Sequence, residues 1–189
     1  MPFPALRLRS PAFEKLMAEP GLAGLGPEPR RARLPLDELS VIVASLFARE
    51  HVSDSRQPLV RAAILLWHDH LDASHQISQG LYGKDGSFLH GIMHRREPDY
   101  SNAKYWFHRV GAHPSFPIIL KQVQALEAES GGPGFAETSK SWSQWDPFAY
   151  VDACEQAASL PARNPEVQAL ERVQEIEIRT LLNLFLSSG

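Results

Sequence analysis

His90 and His94 stand four residues apart, a spacing that puts two imidazoles on one face of a helix, where they can share a metal ion. His75 falls on the second helix of what reads as the preceding hairpin, and that helix should pack against the one carrying His90. Together His75, His90 and His94 form a three-histidine set of the kind that holds a divalent metal such as zinc and leaves a coordination position for water. Glu97 and Asp99 are the nearby carboxylates that could serve as a catalytic base. The chain has no H-E-x-x-H sequence, so zincin-type proteolysis is not suggested. The competing reading is of core histidines hydrogen-bonded to neighbouring carboxylates.

A second constellation follows directly, in Arg95, Arg96, Glu97 and Asp99. Cations at a helix C-terminus meet the negative end of the dipole, and an aspartate just beyond can cap the next helix. Alternatively one arginine turns inward to hold a carboxylate or phosphate, with Asn102 and Tyr105 adding neutral hydrogen bonds. Successive helical residues lie about 100° apart, so only one of the two arginines is expected to face a pocket. On this reading the ligand-binding candidates are His75, His90, Arg95, Arg96, Asn102 and Tyr105. Tyr105, Trp106 and Phe107, with Trp67, read as packing between helices, an aromatic ligand cage being the other possibility. His68, Asp69 and His70 end a helix and are expected to be solvated.

Helices must position these groups, since apolar residues recur at helical spacing and nothing alternates as a strand should. Residues 1–33 form an arm rich in Pro and Arg, in which Ser10 and Pro11 can open one short helix to Ala18. The rest of the arm is expected to drape over the body or stay mobile. From residue 34 a helical domain begins, with helices expected near 35–47, 58–69 and 71–79. Gly80 is expected to end the third in a left-handed conformation. Lys84, Asp85, Gly86 and Ser87 read as a turn into a helix ending before Pro98; Asp99 caps the next, which Gly111 ends. Ser115, Asp146 with Pro147, and Asn164 with Pro165 announce three more, the last running to about Leu186. The stretch near 129–145 is a long loop, either a lid or a disordered excursion. The fold class is all-α: a single domain of about seven to eight helices packed as antiparallel hairpins.

The 189 residues carry a formal charge of −3 and a pI near 6.2, which argues against a sequence-independent nucleic-acid binder. Apolar runs at 41–47 and 62–67 fall far short of the roughly 20 residues that span a bilayer. One cysteine, Cys154, excludes an intramolecular disulfide and fits a reducing compartment; it reads as a buried small hydrophobe. A cytoplasmic protein without membrane contact is expected, its oligomeric state open. Arg30, Arg31 and Arg33 could engage an acidic partner.

The hairpin from Phe88 to Val110 resembles a tetratricopeptide repeat, including its Sel1-like relatives. Gly91 occupies the small-residue position of the first helix, while Tyr100, Ala103 and Phe107 fall at the matching offsets of the second. It departs from the repeat in offering His90 and His94 where large apolar residues usually pack. The block HGIMHRREPDYSNAKYW is also similar to uncharacterised bacterial and fungal proteins, from which no activity carries over. The resemblance implies helical-hairpin architecture and a binding role. Three functions stand at this point: a helical binding module for a small polar or anionic ligand or a protein partner; a metal-dependent hydrolase or lyase; and a structural or regulatory subunit.

Overall fold

The computed structural model describes residues 6–130, 135 and 139–187, and among them it is all-α, with nine helices and no strand. They are α1 (Pro11–Ala18), α2 (Leu36–Arg49), α3 (Gln57–Trp67), α4 (Leu71–Ser78), α5 (Lys84–Arg96), α6 (Tyr100–Val110), α7 (Phe116–Ser130), α8 (Pro147–Ala157) and α9 (Pro165–Ser187). The eight from α2 onward are those expected of the body, and α1 is the arm helix. Ser10 caps it, accepting from the Phe13 N–H at 3.3 Å. Asp99 caps α6 through the Asn102 N–H, and Asp146 caps α8 through the N–H groups of Phe148 and Ala149. Each cap satisfies donors that the first helical turn leaves without partners.

Hairpin α5–α6 is the most extensive helix pair, followed by α3–α4. α4 runs along α5, α3 lies against both α5 and α9, and α6 packs on α8. The long α9 is the spine: Leu170, Val173, Ile178, Leu181, Leu182 and Phe185 are all buried. The closeness of α5 and α6 depends on Gly91, where an added Cβ would lie 2.9–3.1 Å from ring atoms of Phe107. The ring sits between two helices and cannot easily yield. Gly91→Ala is therefore expected to destabilise the fold by about 1–3 kcal/mol through overpacking, a loss readable in denaturant unfolding; an unchanged midpoint would contradict this close fit.

Two local expectations need correction. Gly80 does not take a positive φ; Gly83 does, at 100°, and α5 starts directly after it. Lys84, Asp85, Gly86 and Ser87 thus form the first turn of α5 rather than a turn before it, with Asp85 well placed at the positive end of the helix dipole. The corner between α3 and α4 is made instead by Asp69, at φ 62°.

The arm is laid down on the body from residue 6 onward. Leu8, Phe13, Met17 and Ala23 are buried, and Glu14 pairs with Arg179 of α9 at 2.8 Å. Asp69 anchors the arm's far end: its carboxylate accepts from the Arg30 backbone N–H at 2.9 Å and from Arg30 Nε at 2.7 Å. Arg33 donates to the Asp69 carbonyl. Arg30 and Arg33 therefore meet a carboxylate and a carbonyl of their own chain. Of the expected loop near 129–145, residues 131–134 and 136–138 lie outside the described residues. Its far end is tied down where Gln124 donates to the carbonyls of Ser139 and Trp142.

Candidate metal centre

α4 presents His75 on its second turn, and α5 presents His90 and His94 one turn apart. Because α4 runs along α5, the three meet: one ring nitrogen of each lies within 4.8 Å of the others. Ring centroids are 4.8 Å apart for His75 and His90, 5.3 Å for His75 and His94, and 5.1 Å for His90 and His94. The rings of His90 and His94 are nearly parallel at 12°, while His75 meets both edge-on. Zinc–nitrogen bonds of about 2.0–2.1 Å in tetrahedral geometry set nitrogens ~3.4 Å apart, so side-chain rotations of an ångström or so would close this set on an ion. His90 and His94 are buried and His75 is half-buried, which gives the cluster one wet side.

Surrounding groups fix the rings. Trp106 of α6 stacks on His90 at 3.9 Å and 5°. Glu97 Oε2 lies 3.4 Å from His94 Nδ1, the carboxylate-to-histidine arrangement that orients metal ligands and raises their basicity. Asn102 Nδ2 is 3.2 Å from His94 Nε2, and Gln79 Nε2 is 3.2 Å from His75 Nε2. His90 Nδ1 is buried with no hydrogen-bond partner, an unusual state for an interior imidazole.

Burial is the largest cause that lowers the His90 pKa, to about 4, and the neighbouring His75 and His94 add to it. Burial also lowers that of His94, against the opposing pull of Glu97. Both rings are thus neutral at pH 7, the form that ligates metals. His68, fully buried at the end of α3, is likewise lowered to about 4, first by burial and then by Arg30. These shifts have a sign for stability. The unfolded chain takes up protons on His68 and His90 below about pH 6.5, whereas the folded chain refuses them until about pH 4. Their stabilising contribution is therefore full above pH 6.5 and lost as the pH falls through that window. The metal-free protein is expected to lose stability as the pH falls from 6.5 toward 4, measured by denaturant unfolding. A flat profile across the window would contradict these assignments.

The other expected site residues fall elsewhere. Arg95 and Arg96 are both buried, contrary to the expectation that only one would turn inward. Arg95 Nη2 pairs with Glu177 Oε2 of α9 at 2.7 Å and its guanidinium lies over Tyr150 at 4.2 Å. Arg96 pairs with Asp69 at 2.7 Å and donates to the carbonyls of Leu66 and Gly26. The roughly 100° between them sends one toward α9 and the other toward α3, and the protein supplies a buried carboxylate on each side. Asp99 is spent as the α6 cap, whereas Glu97 reaches the cluster. Tyr105 is 53% exposed and accepts from Arg109 of its own helix. His68 and Asp69 are buried and His70 Nε2 is 2.9 Å from the Leu34 carbonyl oxygen, so this group is not the solvated helix end that its polarity suggested.

Residues not foreseen include Trp106 and Gln79 in the cluster. Trp106 lies four residues after Asn102 and Gln79 four after His75, so helical spacing was the available signal. A separate array links Asp85, His113 and Ser115. His113 Nδ1 accepts from the Ser115 backbone N–H and lies 2.6 Å from its hydroxyl, which leaves Nε2 to donate to Asp85 at 3.0 Å. The order resembles a hydrolytic relay, but Ser115 is wholly buried; the array joins the starts of α5 and α7. The Cys154 thiol is pushed up to about 11 by burial, as a packed and unreactive cysteine would be. No helix among the described residues is long and apolar enough to cross a membrane. No protein-family model matches the chain, and no curated protein or solved structure is similar to it at a significant level.

Proposed function

We propose that His75, His90 and His94 bind a divalent transition metal such as zinc, whose remaining coordination positions take a small polar or anionic molecule. The observation that carries this reading is the convergence of three imidazole nitrogens within 4.8 Å, from two helices. The unpartnered His90 Nδ1 and the neutral state of the buried rings support it. A bound metal polarises a carbonyl or phosphoryl oxygen and lowers the pKa of a ligated water to about 7. Glu97, 3.4 Å from His94 Nδ1, would buttress that ligand and is the nearby carboxylate that could take a proton from such a water. Metal-assisted hydrolysis or a lyase reaction is the chemistry these parts fit. A pocket built on free arginines is the weaker reading, because Arg95 and Arg96 already hold internal carboxylates.

Cobalt(II) titration of the chelator-treated protein tests the reading. About one equivalent should bind and give the intense visible absorption of four- or five-coordinate cobalt, which zinc then displaces. A spectrum no different from that of the aqueous ion would leave the rings as packing groups, and the structural-subunit reading would replace this one.

A further inference from the structure

A slot of about 560 Å³ follows the seam between the arm and the body; Leu16 of α1, Leu34, and Ile42 and Leu46 of α2 line it, with His68 at the end of α3 as its least exposed lining residue. That volume falls within the roughly 300–1,000 Å³ of small-molecule sites, which are likewise mostly apolar with a few polar groups. The charged residues of the slot, Lys15, Glu19 and Arg49, are all exposed. They border its mouth, and no ion-pairing group stands at depth.

His68 is out of keeping with an apolar seam. It is wholly buried, yet neither ring nitrogen has a hydrogen-bond partner among the described residues. The Leu16 carbonyl is close enough to favour an N–H on its side, without completing a hydrogen bond. A neutral imidazole carries one donor and one acceptor nitrogen, so the second nitrogen is an acceptor that lacks a donor. Leaving such a group unsatisfied in the interior is destabilising, and phenylalanine would fill the same space without that penalty. Packing alone does not account for an imidazole here.

We propose that the slot takes an uncharged, largely apolar molecule with one hydroxyl group, of the phenol type, whose O–H donates to the unpartnered nitrogen of His68. The leucine and isoleucine side chains bury its ring, and no buried charge favours a carboxylate or an ammonium in its place. A phenol is a stronger hydrogen-bond donor than an alkanol. The walls come from separate segments of chain, the arm, α2 and α3, so the side-chain rotations common on binding bring the hydroxyl to the ring. This slot shares no residue with the histidine cluster of α4 and α5, and the proposal stands apart from the metal reading.

The test titrates 4-ethylphenol and its methyl ether, 4-ethylanisole, into the full chain at pH 7 by calorimetry. The two are alike in shape, but only the phenol can donate. Burying a hydroxyl without a partner is unfavourable, so an apolar slot lacking an acceptor prefers the ether. The phenol should instead bind about two- to tenfold more tightly. His68→Phe should fold and reverse the preference, and Ala12→Phe, which fills the slot from the half-buried face of α1, should take up neither molecule. Phenol binding no tighter than that of the ether, no detectable binding of either, or a preference for the phenol retained in His68→Phe would overturn the proposal. Phenol binding unchanged in Ala12→Phe would overturn it too, whatever the fate of the His68 variant.

Discussion

His94→Ala is expected to weaken zinc binding about a thousandfold or more while leaving the helical circular-dichroism signal intact. Full ligand sets in small structural sites supply roughly 10–16 kcal/mol of metal-binding free energy, so one of three imidazoles accounts for several. His94, one of the three proposed ligands, also has Glu97 Oε2 3.4 Å from its Nδ1. Alanine removes the ligand and leaves its supports without an object. Glu97→Gln should weaken the metal by a smaller factor, about 10- to 100-fold. This ordering separates a metal centre from a packing cluster. If the rings merely set helix register, both variants would shift the unfolding midpoint and leave zinc affinity, measured by competition with a chromophoric chelator, unmoved.

The largest stability effect is expected at the other side of the same helix. Arg95→Met should cost about 3–5 kcal/mol, because it strands the Glu177 carboxylate in the interior. Arg95 and Glu177 are both fully buried, and Gln174, 3.4 Å from Arg95 Nη2, is itself tied to the carbonyls of Ala23 and Gly24. For a chain of this length that loss corresponds to a fall in Tm of roughly 6–20 °C. Arg95→Met combined with Glu177→Leu should recover much of it, since a buried pair replaced by apolar groups of similar size is often neutral or stabilising. A single variant as stable as the parent would contradict the burial of an otherwise unpaired charge. The pair also fixes the C-terminal turn of α5 on α9, immediately beyond His94, which is why a stability test bears on the site.

Local chemistry explains what could be read ahead of the structure. Ser10 with Pro11, Asp99, Gly111 and Asp146 with Pro147 each act within a turn of their own position, and a cap is a local device. The meeting of His75 with His90 and His94 followed from two local facts, the four-residue spacing and the packing of consecutive hairpins. The fate of the arginines did not follow. Arg95 finds its carboxylate 82 residues away and Asp69 gathers Arg30 from 39 residues upstream; no periodicity reports such pairs. A His-Asp-His run at the end of α3 looks like a wet helix terminus, yet the arm covers it and takes Asp69 as its anchor. Gly83 rather than Gly80 carries the positive φ, and no local pattern distinguishes two glycines three residues apart.

The most direct test of the metal centre is elemental analysis of tag-free protein purified without chelator, beside His90→Ala and His94→Ala variants shown by circular dichroism to be folded. The account predicts close to one equivalent of a divalent transition metal per chain in the parent and almost none in either variant. Parent protein free of metal that also refuses added zinc, or equal metal in all three, would contradict it.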